Sequence, residues 1–266
     1  MPQIPVPPLS SRVESLSVVF PAYNEQLNLR ETIRKASESL PKVAKRWEVI
    51  IVNDGSRDAT NRICDELIAQ YPGVSAFHHP SNRGYGAALK TGIMAATGEL
   101  IFFSDSDGQF DLEELRKVVG FAKDFDIVAG YRRKRADPPW RLINAWGWNT
   151  LVRALLGVRV RDVDCAFKLF RREVFERVQI RAVGAMVNTE ILAQAIHFGM
   201  GIHEVEVTHY PRKAGQPTGA KPRVILKAFR ELCHLWWKLR KIDENQAGLY
   251  APAPRLAPEH TALSNA

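Results

Sequence analysis

"IFFSDSDGQFD", residues 101–111, is the stretch from which the fold of this chain can be read. An apolar run bounded by turn-forming residues reads as a buried strand, and here it empties into a loop with Asp105 and Asp107 one residue apart. Two anions held so close repel each other. A hard divalent cation would offset that repulsion, since Mg²⁺ keeps several waters and takes one or two carboxylates together with phosphate oxygens. A shared-proton dyad is a second use for two aspartates, although such dyads normally draw their carboxyls from separate loops. Helix capping is a third, but it needs only Asp111, just ahead of "LEELRK". Metal ligation is the favoured use of Asp105 and Asp107, with turn or cap structure as the alternative.

On either side of that strand, apolar runs alternate with helical patterns. "LSVVFPAYNE" (16–25), "WEVIIVNDGS" (47–56), "GVSAFHHP" (73–80), "GELIFFSDSD" (98–107) and "FDIVAGYRR" (125–133) read as strands with their following loops. "LNLRETIRKASESL" (27–40), "DATNRICDELIAQY" (58–71), "GYGAALKTGIMAAT" (84–97) and "LEELRKVVGFA" (112–122) read as helices. The alternation predicts an α/β fold, a Rossmann-like, mostly parallel sheet with helices on both faces. Such sheets bind ligands beyond the carboxyl ends of their strands. Asn24, Glu25, Asn53, Asp54, Asp105, Asp107 and Arg132 all fall at or just past strand ends, which predicts a single site along one edge.

Of the 266 residues, 45% are hydrophobic and 25% charged, an ordinary globular composition. The pattern divides the chain into a Pro- and Ser-rich tail (1–14), one domain (15–240) and a second tail without periodicity (241–266). No run approaches the roughly 20 consecutive apolar residues of a spanning helix, and the amino terminus lacks a signal pattern, so a cytoplasmic location is expected. Cys64, Cys165 and Cys233 form no CxxC pair and suggest neither zinc nor a disulfide framework. The formal charge of +8 suits nucleic acid, anionic lipid or a phosphate-bearing substrate. Nucleic acid is the weakest of these: the basic residues gather after Arg132 among interface-type aromatics, no RNA-binding signature occurs, and acidic strand ends repel phosphate.

"PAYNE" (21–25), "NDGS" (53–56), "NRGYGAALKTG" (82–92) and "DSDGQ" (105–109), in this order at strand ends, resemble the family 2 glycosyltransferases. These are inverting enzymes of the GT-A fold, and the likeness, over roughly residues 15–230, is greatest to the polyprenyl-phosphate sugar synthases. The resemblance implies a nucleotide-sugar donor of the GDP-mannose or UDP-glucose type and a Mg²⁺ or Mn²⁺ cofactor. It implies that Pro21, Ala22, Tyr23 and Glu25 line the nucleobase and ribose pocket, with Asp54 on the base or ribose. Lys90, Ser106, Arg132 and Arg212 complete the donor site, and Asp105 and Asp107, helped by Gln109, hold the metal against the diphosphate. The family often carries a Ser-Lys pair after the last arginine; "GQPTGAK" has Thr218 at that place, which passes the role to Lys213 or Lys221 or leaves it vacant. The glycines of "NRGYGAALKTG" lack the third glycine of a dinucleotide fingerprint. Without the resemblance, Glu25 also reads as first-turn stabilisation of a helix and Asp54 as a turn residue, and His78 and His79 receive no role.

"RDVDCAFK" (161–168) is similar to the family's acceptor segment, with Ala166 where glycine is commoner. Asp162 or Asp164 would be the base for a hydroxyl acceptor, whereas a lipid phosphate is already anionic and needs none. An acceptor held in a membrane gives the basic, aromatic stretches a use: Arg141, Arg153, Arg159 and Arg161 would meet headgroups while Trp140, Trp146, Trp148, Leu151 and Leu155 enter the interface. "FRELCHLWWKLRK" (229–241) repeats that chemistry, or serves as a packed helix or dimer contact. The expectation is therefore a hexosyltransferase acting on a polyprenyl phosphate, peripherally bound at the cytoplasmic face of the membrane. A transferase with a glycan or other hydroxyl acceptor is the alternative.

Overall fold

The computed structural model describes residues 12–132, 139–212 and 222–240, with backbone alone at 139–146, 222–228 and 238. Seven strands form one sheet: β1 (Val13–Ala22), β2 (Ala44–Asn53), β3 (Val74–His78), β4 (Leu100–Ser104), β5 (Ile127–Arg132), β6 (Phe167–Arg171) and β7 (Ile202–Val207), in the order β3-β2-β1-β4-β6-β5-β7. All are parallel except β6, which lies antiparallel between β4 and β5. The interior strands are buried on both faces, which is why they read as unbroken apolar runs.

Among the described residues there are eight helices: α1 (Leu29–Val43), α2 (Thr60–Gln70), α3 (Tyr85–Ala95), α4 (Leu115–Gly120), α5 (Pro139–Leu156), α6 (Val174–Arg177), α7 (Val187–His197) and α8 (Pro222–Leu239). In α1, Leu29, Ile33, Ala36, Leu40 and Val43 recur at helical spacing and are buried. Its outer face carries Arg34 bonded to both Glu31 and Glu38. Gly92 of α3 packs on Val19 and Val52, whereas Val18 borders a small cavity with Ala36 and Leu40 of α1. Successive strand residues face opposite ways, so α1 and α3 cover opposite faces. Asp111 caps the 3-10 turn Leu112–Glu114 through the Glu113 amide, as its position before "LEELRK" suggests.

The chain steps outward from β1 to β2 and β3, then returns to lay β4 on the other side of β1. The loops leaving β1 and β4 therefore diverge, and the crevice between them is where open α/β sheets bind ligands. Strand β6 begins at the same edge, because Phe167 pairs with Ser104 at the end of β4. That brings the 162–166 turn to the crevice as well.

Three differences from the sequence reading follow from tertiary contacts. Strand β1 starts at Val13, inside the stretch assigned to the amino-terminal tail, because Val13 pairs with Ala44; residues 1–11 and 241–266 lie outside the described residues. Between 167 and 207 the sequence reading had no elements, and β6, α6, α7 and β7 occupy that span. In α5, Trp148, Leu151 and Leu155 pack against the core, and the Trp148 ring meets Phe229 of α8 edge-on at 6.0 Å. Those three apolar residues are half-buried, each with one part of its surface packed on the core. The side chains of Trp140, Arg141 and Trp146 are outside the described ones.

The glycines before α3 serve close packing. Val183 O accepts the amides of Gly86 and Ala87, and a Cβ at Gly86 would stand 2.2 Å from Ala182 O. That carbonyl cannot retreat freely, since Glu190 of α7 accepts the Arg181 and Ala182 amides at 2.8 Å each. Gly86→Ala should therefore cost about 1–3 kcal/mol, the usual range for overpacking. A urea denaturation midpoint lowered with unchanged slope is the expected result, and an unmoved midpoint would show that the loop yields.

Candidate active site

Along the strand-end edge, the β1 and β2 loops are laced together. Asn24 adopts φ 57°, a left-handed conformation that short polar side chains tolerate. Its amide donates to Ser56 Oγ and its Oδ1 accepts from Arg57 N. Glu25 N donates to Thr60 Oγ1, while the Glu25 carboxylate is buried, accepts from Asn28 Nδ2 at 2.7 Å and lies 3.7 Å from Arg212. Burial pushes the Glu25 pKa up against the pull of Asn28 and Arg212.

Asp54 is 3% exposed and heavily bonded. Its Oδ1 meets His79 Nδ1 at 2.7 Å and accepts from Arg83 N, and its Oδ2 accepts from Gly84 N. His79 continues to Thr91 Oγ1 of α3 at 3.0 Å. Asp54 thus fixes the loop that leads into α3, with acceptor capacity left only on Oδ2 for a ligand. His79, which the sequence left without a role, is the buried strut of this arrangement. Nothing distinguishes it from an ordinary strand-end histidine until the fold brings it to Asp54.

Asp105 and Asp107 follow β4 and reach the crevice. Burial first, then the charge of Asp107, raises the Asp105 carboxyl from 3.8 to about 7. The Tyr85 hydroxyl at the start of α3 is buried beside Asp105 with no partner of hydrogen-bond geometry, and burial drives its own pKa up. Asp107, 6% exposed, accepts from Arg212 Nη2 at 2.7 Å and from Gln109 N. Arg212 stays charged because Asp107 and Glu25 offset its burial. A cleft of about 190 Å³ opens beside the pair, bordered by Asn28, Thr32, Lys35 and Phe110.

This donor set fits a divalent cation that brings its own remaining ligands. Among the described residues no three His, Cys, Asp or Glu side chains gather to form a cage. Two carboxylates, one of them carrying a pKa raised by burial and by its neighbour's charge, suit an ion whose shell is completed by phosphate oxygens and water. Gln109, expected as a helper ligand, gives its Nε2 to Tyr210 O at 2.9 Å, while its backbone carbonyl accepts from Tyr210 N. These bonds tie the segment carrying Arg212 to the aspartate loop and leave the Gln109 Oε1, the atom a metal would take, outside them. Ser106 is likewise internal, its hydroxyl donating to Pro21 O and its carbonyl accepting from Thr32.

On the β5 side of the crevice, near enough for its charge to act on Asp105, Arg132 makes a bidentate pair to Asp162, Nε to Oδ2 at 2.6 Å and Nη2 to Oδ1 at 2.9 Å. Burial opposes its charge, and the Asp162 pair more than offsets that, so the guanidinium holds its proton more firmly than usual. Asp162 is buried in this pair, which removes it as a free general base; Asp164 is exposed on the outer side of the turn. Arg161 lies over the Tyr131 ring at 4.5 Å. Pro21 and Ala22 are buried at the end of β1, Tyr23 is half-buried beyond them, and Lys90 stands exposed in the second turn of α3 with no bond to the carboxylates. Lys213, Thr218 and Lys221 lie outside the described residues.

The family model for glycosyl transferase family 2 matches residues 17–179. Glycosyltransferase AglD of Haloferax volcanii is 32% identical over 234 residues, covering 84% of this chain and 37% of that protein. Dolichyl-phosphate beta-glucosyltransferase of Dictyostelium discoideum is 30% identical over 213 residues, 72% of this chain and 65% of its own. Undecaprenyl-phosphate 4-deoxy-4-formamido-L-arabinose transferase of Pseudomonas aeruginosa is 28% identical over 222 residues, 82% and 64%. The chain thus spans less than two thirds of the length of these relatives. Glucosyl-3-phosphoglycerate synthase from Mycobacterium tuberculosis, solved with Mn²⁺, UDP and glucosyl-3-phosphoglycerate, superposes with a TM-score of 0.64 at 22% identity, over 83% of this chain and 80% of that one. The fold is the GT-A fold expected from the strand-end motifs.

The elevated Asp105 pKa has a consequence for stability. The folded state holds a proton that the unfolded chain has released, so folding takes up a proton between pH 3.8 and about 7 and this contribution is lost as pH rises through that window. Asp105→Asn should flatten the decline, giving a thermal midpoint less sensitive to pH than the wild type over the same span. Parallel melting curves for the two proteins would contradict the assignment.

Proposed function

Since the chain belongs to glycosyl transferase family 2, we propose that it is an inverting transferase moving a hexose from a nucleotide-sugar donor to a polyprenyl phosphate. The observation that carries the acceptor half of this reading is the bidentate Arg132–Asp162 pair. A hydroxyl acceptor needs a free base to take its proton, and the buried acid of the turn is held by a guanidinium. A phosphate monoester brings a nucleophilic oxygen that is already anionic. The relatives named for dolichyl-phosphate and undecaprenyl-phosphate transfer support the same acceptor class.

In the reaction, an oxygen of the acceptor phosphate forms a bond to the anomeric carbon as the bond from that carbon to the diphosphate oxygen breaks. The electron pair leaves with the nucleoside diphosphate, the anomeric configuration inverts, and no proton has to move. Asp105 and Asp107 would hold a Mg²⁺ or Mn²⁺ ion, which supplies positive charge where the leaving diphosphate becomes more negative. Arg212, beside Asp107, adds a guanidinium at the same end of the crevice. Arg132 presents its charge at the acceptor end, and the loop shaped by Asp54 and His79 forms the floor for the nucleoside.

Peripheral binding at the cytoplasmic face of a membrane completes the reading. No helix among the described residues is long and apolar enough to cross a membrane. Helix α8 buries Leu232, Leu235 and Leu239 and exposes Phe229, Cys233 and Trp237 beside Arg230, His234 and Arg240. Aromatic and basic side chains together suit an anionic interface.

Two outcomes are expected. Asp107→Asn, close to isosteric, should retain the fold and lower transfer to undecaprenyl phosphate by about two to three orders of magnitude, the loss typical of one charge-stabilising group. Near-normal turnover in Mn²⁺, or wild-type turnover only with a hydroxylated sugar acceptor, would overturn the corresponding half of the proposal. In sedimentation with anionic liposomes, the double variant Phe229→Ala, Trp237→Ala should be lost from the pellet while wild type is retained. Equal retention would assign that face to another role.

A further inference from the structure

Lys168 is completely buried, in the interior of β6 between Phe167 and Leu169. An apolar residue would suit that position better, because an ammonium taken out of water is costly unless it is fully bonded. The bonds are to main-chain carbonyls: Nζ donates to Val163 O at 3.0 Å and to Cys165 O, and it lies 5.9 Å from the centre of the Phe103 ring. Both carbonyls belong to the turn that carries Asp162, which also has a long hydrogen bond from Cys165 N to Asp162 O at 3.3 Å. Asp162 in turn grips one edge of the Arg132 guanidinium, through Nε and Nη2.

We propose that Lys168 is a positioning residue for the acceptor end of the crevice: its buried ammonium pins the 163–165 carbonyls, which presents Asp162 to Arg132 and fixes the Arg132 guanidinium at the end of β5. Its effect on transfer rests on the glycosyltransferase reading above; its effect on Arg132 does not. Burial lowers the Lys168 pKa, opposed by the charges of Asp162 and Asp164.

The test compares wild type with Lys168→Met and Lys168→Arg. The Arg132 Nε–H proton, bonded to Asp162, is followed by ¹H–¹⁵N NMR and assigned by its absence in Arg132→Lys. Affinity for UDP and GDP with Mn²⁺ is measured by calorimetry, and the KM for undecaprenyl phosphate by transfer. The expected result for Lys168→Met is a retained fold, nucleotide affinity within about twofold of wild type, loss of the protected Arg132 signal and an acceptor KM raised about tenfold or more, as for loss of one hydrogen bond to a charged group. Lys168→Arg should recover the signal and part of the KM. A folded Lys168→Met that keeps the Arg132 signal, or loses it with an unchanged acceptor KM, overturns the proposal. If Lys168→Met does not fold, the wild-type Lys168 ammonium decides: a slowly exchanging –NH₃⁺ signal at neutral pH supports the pinned turn, and its absence overturns it. Wild type inactive with every nucleotide sugar would sink the transferase reading, while the Arg132 signal would still report on Lys168.

Discussion

Electrostatic repulsion between Asp105 and Asp107 organises this molecule's functional edge. The two carboxylates are partly or wholly withdrawn from water, so their mutual repulsion is less screened than on an open surface. Two responses are built into the fold: the Arg212 guanidinium pairs with Asp107, and Asp105 keeps a proton to a pH near neutrality. Both leave the pair short of positive charge, which is the condition under which a divalent ion with phosphate ligands binds well. The bonds around the pair serve to hold it in that state, with Ser106 latched to β1 and Gln109 to Tyr210.

The β5 side of the crevice follows a different rule. Arg132 is paired with Asp162, and Lys168 is bonded to main-chain carbonyls of the same turn, so charge there is fixed in place. The contrast between an under-compensated donor end and a self-compensated acceptor end suits a reaction in which charge builds on a leaving diphosphate while the nucleophile arrives already ionised. The sheet topology sets the distance between the two ends, since the β1–β4 switch point holds one and the inserted antiparallel β6 holds the other.

Much of the fold and the outline of the site were legible in the sequence because parallel strands buried on both faces leave unbroken apolar runs, and their polar ends mark the edge. Asp105, Asp107 and Arg132 could be placed at one edge from that pattern, and Arg212 joined them through the family resemblance. Residues whose importance depends on partners far along the chain could not. His79 matters through Asp54, 25 residues away, and through Thr91; Lys168 looks like an interruption in "FKLF" until the turn before it folds back. The Ser106 hydroxyl is suited to a ligand, and only the tertiary contact to Pro21 O reveals that it is buried and bonded internally. The span 167–207 was opaque for a related reason: α7 is buried nearly all round, which erases the helical stripe a surface helix displays.

The central claim concerns what sits between the two aspartates when a donor is bound. A crystal structure of the protein with Mn²⁺ and a nucleoside diphosphate, with anomalous scattering collected at the manganese edge, addresses it directly. The account predicts a manganese peak at the Asp105 and Asp107 carboxylates, bridged to the diphosphate, with Arg212 drawn off Asp107. A diphosphate bound with the Asp107–Arg212 pair intact and the manganese elsewhere would contradict it.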